Sequence, residues 1–157
     1  MQPHIGISEK NLENSVLLLT ATLANEMTLY IKTRKAHWNV EGESFMELHK
    51  LFESQYKELE EIIDEVAERI GKLGEKTIAT MHEYSKLASI KENPGQYLNS
   101  KSTLKELLSD HETIIVGLRK DIEQSTEKNK DLGTADFFTG LLQQHESTAW
   151  ILRRYLN

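Results

Sequence analysis

Apolar residues recur every three to four positions through four long stretches of this 157-residue chain, the period of helices with one buried face. In the first stretch Leu12, Val16, Leu19, Leu23, Met27 and Tyr30 share a face. The second carries Phe45, Leu48, Phe52, Tyr56, Leu59, Ile63, Val66 and Ile70. The third carries Leu104, Leu107, Leu108, Ile114, Ile115, Leu118 and Ile122, and the fourth Phe137, Phe138, Leu141, Leu142, Ile151, Leu152 and Tyr155. No two-residue alternation is long enough to argue a strand. Pro3 and Pro94 are the only prolines, so glycines do the punctuating: Gly42, the pair Gly71 and Gly74, Gly95, and Gly133 before the last stretch. Ser44 with Glu47, and Thr103 with Glu106, have the spacing of capping boxes. Asp131 or Thr134 can cap the fourth helix, and the third is expected to end near Asn129 to Gly133.

The segment from about Gly74 to Ser102 is too long for a tight turn between neighbouring antiparallel helices. Its Ile78, Met81, Leu87 and Ala88 suffice for a short helix. The expected fold is all-α: a four-helix bundle of ferritin-like arrangement, with a short helix in the long connection between helices 2 and 3. The chain reads as one domain over 1–157, with 1–8 a flexible N-terminal segment. A fold class is not an activity.

Composition narrows the chemistry. The chain has 38% apolar and 28% charged residues, as a globular domain does. It has no cysteine, which removes disulfides, thiolate metal sites and cysteine nucleophiles. No apolar run reaches membrane length, and Met1 to Lys10 do not read as a signal peptide, so a cytoplasmic location is expected, with nucleoid association left open. A net charge of −6 gives no general attraction to phosphate backbones; its simplest role is solubility.

The candidate chemistry is metal binding. There are six histidines: His4, His37, His49, His82, His111 and His145. None from His37 onward has a carboxylate three residues before it, so the Glu-x-x-His motifs of an intra-bundle di-iron site are missing. In the second helix the core stripe is expected along Leu59, Ile63, Val66 and Ile70. Asp64 and Glu68 then lie at about 140° and 180° from Leu59, one turn apart and facing away from their own core. His49, Glu53 and Glu60 fall on the same side. Carboxylate oxygens with imidazole nitrogen suit Fe(II) or Mn(II), although an outward acidic stripe is more often a solvated face. His37 ends the first helix in His37-Trp38-Asn39; alone it reads as a histidine at the negative end of a helix dipole, with Trp38 in the core.

Lys35 to Arg69 resembles the signature of the Dps family. The matching elements are His37-Trp38-Asn39, Gly42, Phe45, His49, Tyr56 and Asp64-Glu65-Val66-Ala67-Glu68-Arg69-Ile70. Thr134-Ala135-Asp136 through Gly140, and His145-Glu146 to Trp150-Ile151-Leu152-Arg153, look like the start and end of the family's last helix. The resemblance implies a dodecameric hollow shell that oxidises Fe(II), preferentially with hydrogen peroxide, and stores the ferric product as mineral, protecting the cell against oxidative stress. It implies an iron site at two-fold interfaces, with His37 and His49 from one subunit and Asp64 and Glu68 from its partner. Asp131 and Asp136 become candidates for an iron-entry pore, and Glu53, Glu60 and Glu61 for mineral nucleation. Trp38, beside the site, becomes a candidate sink for stray oxidising equivalents, with core packing the expected alternative. No haem is expected, since nothing marks Met27, Met46 or Met81 as an interfacial ligand.

The chain departs from relatives that bind DNA through a lysine-rich tail. Met1 to Lys10 offers only Lys10, and the last residues offer Arg153 and Arg154. Weak or absent DNA binding is therefore expected. The competing reading is a DNA-compacting structural shell with little ferroxidase activity.

Overall fold

The computed structural model describes residues 3–156. Five helices follow one another: α1 (Glu9–Asn39), α2 (Phe45–Lys72), α3 (Met81–Leu87), α4 (Ser100–Glu127) and α5 (Leu132–Leu156), and there is no strand among the described residues. α1 and α2 form one antiparallel hairpin and α4 and α5 another. α1 also packs on α3 and α4, and α2 on α5. The all-α bundle with a short helix in the connection between its second and third long helices is thus the observed fold.

The core is a continuous apolar cluster drawn from all five helices, with Leu19, Leu29, Phe52, Val66, Ile70, Phe138 and Leu152 fully enclosed. Its stripe on α2 runs Leu48, Phe52, Gln55, Leu59, Ile62, Val66 and Ile70. The sequence pattern places Tyr56 and Ile63 on that stripe; both are only half-buried, because the polar Gln55 holds a core position and disguises the register. The face of α1 is disguised in the same way. Ser15, Glu26 and Thr33 are fully buried there, whereas Val16 and Met27 are only half-buried.

The helix ends correct several expectations. Ser44 occupies the position before α2 without a side-chain capping bond. Thr103 lies inside α4, because Asn99 starts that helix by accepting from the Ser102 N–H at 2.9 Å. The reciprocal capping box forms instead at Thr80 and Glu83, opening α3, a signal present in the sequence but hidden in a segment read as connection. Gly74 stands just past α2 with φ of +96°, where a side chain would be strained, and its N–H bonds the Gly71 carbonyl.

Asp131 is the cap of α5. Its carboxylate accepts from the Thr134 N–H at 3.0 Å and from the Thr134 hydroxyl at 2.6 Å, and its backbone carbonyl accepts from the Ala135 N–H. Arg69 of α2 closes the arrangement: its guanidinium donates to the Thr134 Oγ1 at 3.1 Å and lies 3.4 Å from the Asp131 Oδ1. Gly133 therefore lies within α5 rather than before it. The Arg69 guanidinium occupies the space a Cβ would take at Gly133, at 2.8 Å.

Asp121 of α4 is partly buried away from compensating charge. Burial pushes its carboxyl up to about 6, against a weaker lowering by Lys120. A folded-state pKa above the unfolded one means the group favours folding at low pH, and that contribution is lost as pH rises through about 6. Asp121→Asn is therefore expected to stabilise the protein at pH 7.5 by about 1 kcal/mol, a figure reduced for solvent screening of a partly exposed group, and to give no gain near pH 4. Denaturant unfolding at the two pH values checks this.

Candidate metal centre

α1 ends and α2 begins around the Gly42 turn, which brings His37 and His49 face to face. Their rings stack at 3.8 Å between centroids with 22° between planes. Each Nδ1 bonds the other residue's backbone carbonyl: His37 Nδ1 to His49 O at 2.8 Å, and His49 Nδ1 to His37 O at 2.9 Å. A carbonyl can only accept, so both Nδ1 atoms carry hydrogen, and Nε2 is the nitrogen of each ring that the carbonyls leave free. Backbone carbonyls fix metal-binding histidines in this way. Tyr56 packs edge-on against His37 at 5.2 Å, and Phe45 lies over His49 at 5.1 Å, holding the pair from both sides. His37 is 9% exposed and His49 half-buried.

Glu53 stands one turn beyond His49. Its carboxyl is held below the usual range, first by its hydrogen bond and charge pairing with Lys57 at 2.5 Å, and to a smaller extent by His37 and His49. Trp38 is not core: it is 63% exposed, with the Arg34 guanidinium 5.2 Å over its ring. Position on the last turn of α1, next to His37, leads its side chain outward.

Asp64 and Glu68 are both exposed, one turn apart on α2, and Glu68 pairs with Lys72 at 3.0 Å. α2 is unbroken from Phe45 to Lys72. Fifteen residues of continuous helix separate His49 from Asp64 by about 22 Å, and nineteen separate it from Glu68 by about 28 Å. One chain therefore brings the two histidines together and the two carboxylates together, but not the pairs to each other. Among the described residues no three His, Asp or Glu side chains surround a common point. Glu60, Glu61 and Asp136 are exposed, whereas Asp131 is enclosed and engaged as a cap.

One polar constellation escaped the sequence reading. His111 of α4 and His145 of α5 are 2% and 1% exposed, with Nδ1 atoms 2.9 Å apart. His145 Nε2 donates to Glu26 Oε1 of α1 at 2.9 Å. A Glu-x-x-His motif lies along one helix, whereas these groups come from three different helices.

Comparison with known proteins agrees with this architecture. Residues 16–157 match the family model of the ferritin-like domain. A low temperature-induced protein of Nostoc sp. is 39% identical over 153 residues, covering 98% of this chain and 86% of the relative. DNA protection during starvation protein 2 of Bacillus anthracis is 35% identical over 141 residues, 89% of this chain and 94% of the relative. Among solved structures, Dps from Thermosynechococcus elongatus superposes with a TM-score of 0.89 at 36% identity, covering 94% and 93% of the two chains. The Dps protein of Vibrio cholerae O1, described as a member of a broad superfamily of ferritin-like diiron-carboxylate proteins, gives 0.92 at 29% identity, covering 99% and 97%. With the bundle, the long connection and the matched sequence all in agreement, this chain belongs to the Dps family of ferritin-like proteins.

Proposed function

We propose that the protein is a ferroxidase and iron-storage shell that oxidises Fe(II), preferentially with hydrogen peroxide, at sites completed between two subunits. The observation that carries this reading is the locked His37–His49 pair, both Nε2 atoms left free by the carbonyls, at one end of α2, with a carboxylate pair further along that helix that it cannot reach. A two-fold axis that sets α2 antiparallel to its partner would bring the histidines of one chain to the carboxylates of the other, giving two equivalent sites per dimer. The substrate Fe(II) would meet two imidazole nitrogens from one side, and from the other Asp64 and Glu68, whose charges offset that of the cation. Four protein donors leave positions for the oxidant. Each peroxide molecule takes one electron from each of two Fe(II) ions, and removing both reactants together limits radical formation.

The dodecameric shell and the cytoplasmic location belong to the same proposal; among the described residues no helix is long and apolar enough to cross a membrane. Of the two pore candidates, Asp136 is the better placed, since the Asp131 carboxylate is committed to Thr134 and Arg69. Glu60 and Glu61 are exposed candidates for mineral nucleation, and Glu53 a half-buried one.

Anaerobic loading with Fe(II), followed by peroxide or by oxygen in separate runs, tests the reading through ferric absorbance. Faster oxidation by peroxide is expected, and no oxidation above the protein-free rate would contradict it. On a sizing column, elution at the 18.1 kDa of one chain would equally contradict an inter-subunit site.

DNA binding is expected to be weak. The net charge is −6, and of the two arginines ending α5, Arg153 is paired with Glu112 at 3.4 Å. In a low-salt gel shift, micromolar protein should leave duplex DNA largely unretarded; tight retardation would favour the DNA-compacting shell.

A further inference from the structure

A polar chain that the inter-subunit site does not use joins the two hairpins through the centre of the bundle. α1 packs chiefly on α2, and α5 on α4, so each hairpin is fastened within itself. Between the hairpins run Glu26 of α1, His145 of α5 and His111 of α4, each at most 2% exposed. His145 stands in the middle. Its Nε2 lies 2.9 Å from Glu26 Oε1, and its Nδ1 lies 2.9 Å from His111 Nδ1. The other Glu26 oxygen has no hydrogen-bond partner, so among the described residues the one hydrogen bond to this buried carboxylate comes from His145.

These contacts allow the ring hydrogens to be counted. An ionised carboxylate only accepts, so His145 Nε2 carries hydrogen. A single hydrogen lies between the two Nδ1 atoms, since one must donate and the other accept. What can vary is His111 Nε2. If it is bare, both rings are neutral and the Glu26 charge is buried without a counter-charge, which is costly. If it carries hydrogen, the pair holds one positive charge, placed on His145 between two acceptors, and Glu26 is balanced. One more proton would put hydrogen on both Nδ1 atoms, breaking their bond and leaving excess positive charge in the core.

The surroundings favour the balanced form. Burial pulls His145 down, but the Glu26 charge and hydrogen bond, with Glu58 of α2, outweigh it and raise the group. His111 is held well below the usual histidine value, by burial first and by the His145 charge second. The ionisable groups acting on the pair thus come from α1, α2, α4 and α5. The exposed Glu58 and Gln144 border a small cavity beside both rings, which gives protons a short way in from solvent.

We propose that Glu26, His145 and His111 form a proton-operated clasp between the two hairpins: with three ring hydrogens it ties α1 to α5 and α4, and with two it slackens as water is drawn to the buried carboxylate. The clasp lies within one chain, so it stands or falls apart from the inter-subunit ferroxidase reading. The raised His145 favours folding below the ordinary value of 6.5, and that contribution is lost as pH rises through its folded-state value. The lowered His111 costs stability as pH falls below 6.5, because only the unfolded chain takes up the proton there. The clasp is therefore tightest near pH 6.5 and weaker on both sides.

Neutron diffraction from deuterated crystals of the full-length, iron-free protein reads these hydrogens directly and needs no variant. Three ring deuterons on the pair are expected near pH 6.5, and two at about pH 10. Amide exchange of the same protein, corrected for its intrinsic rise with pH, should quicken in α1 and α5 over that range. Glu26→Gln keeps the shape and removes the charge that holds the third hydrogen. It should lower Tm by about 4–8 °C near pH 6.5, the loss expected for a charge-assisted hydrogen bond in a chain of this length. By about pH 10 the difference should vanish or reverse. Comparing the two proteins at one concentration cancels the titration of the subunit interfaces and the outer surface. The clasp is overturned if the deuteron count is the same at both pH values, if exchange in α1 and α5 does not change, or if the Tm difference is constant.

Discussion

Replacing His37 and His49 together by alanine is expected to slow peroxide-driven Fe(II) oxidation at least about 100-fold, since losing a mere outer partner of a metal ligand already costs 10- to 100-fold. The two rings stack on each other, and each is anchored by the other residue's backbone carbonyl, which alanine keeps, so one substitution removes the stacking partner but leaves the remaining ring's Nδ1 bond in place. His37→Ala alone should therefore keep one anchored imidazole and oxidise faster than the double variant, and adding His49→Ala should slow the reaction further. Folding should be preserved, because His49 is half-buried at the rim of the bundle and the core beneath is supplied by Leu48 and Phe52. Stopped-flow ferric absorbance with circular dichroism checks both parts. A single variant already as slow as the double one would argue against two separately anchored ligands.

The second large effect is on stability. Asp131→Ala is expected to cost about 2–4 kcal/mol, the sum of a lost helix cap and of a hydroxyl and guanidinium left without their carboxylate. Asp131 is 1% exposed, so water cannot readily replace it at Thr134. Asp136, exposed one turn later, should change stability by less than about 0.5 kcal/mol when replaced by alanine. The two acids thus separate structural and pore roles. Thermal unfolding at one fixed protein concentration measures the first, and the rate of iron uptake into the mineral the second. Slower uptake in Asp136→Ala, with unchanged unfolding, would support a pore at that residue.

The contrast between these residues explains what the sequence could disclose. Four helices and the short α3 were legible because Leu, Ile and Phe recur with helical period and glycines stand at Gly42 and Gly74. The register on α1 and α2 was less legible, because the core accepts Ser15, Glu26, Thr33 and Gln55. A pattern of apolar residues cannot show a buried glutamate whose partner is a histidine 119 positions away. The capping role of Asp131 was among the alternatives open in the sequence; its burial was not, since that depends on Arg69 from another helix. Pairing of His37 with His49 follows from family resemblance, but the carbonyl exchange that fixes which ring nitrogen stays free required coordinates. Trp38 was misplaced because its helix turns it outward at the last turn, a matter of one residue in register.

Histidines and carboxylates about 22 Å apart along α2 can form the proposed site only if two chains share it. Mixing two inactive proteins tests this most directly. One carries His37→Ala and His49→Ala, the other Asp64→Ala and Glu68→Ala, and the shells are dissociated and reassembled together. In random pairing half the dimers are hybrid, and each hybrid restores one of its two sites, so about one quarter of wild-type Fe(II) oxidation should return. If reassembled mixed shells stay as inactive as either parent, the site is not shared between subunits.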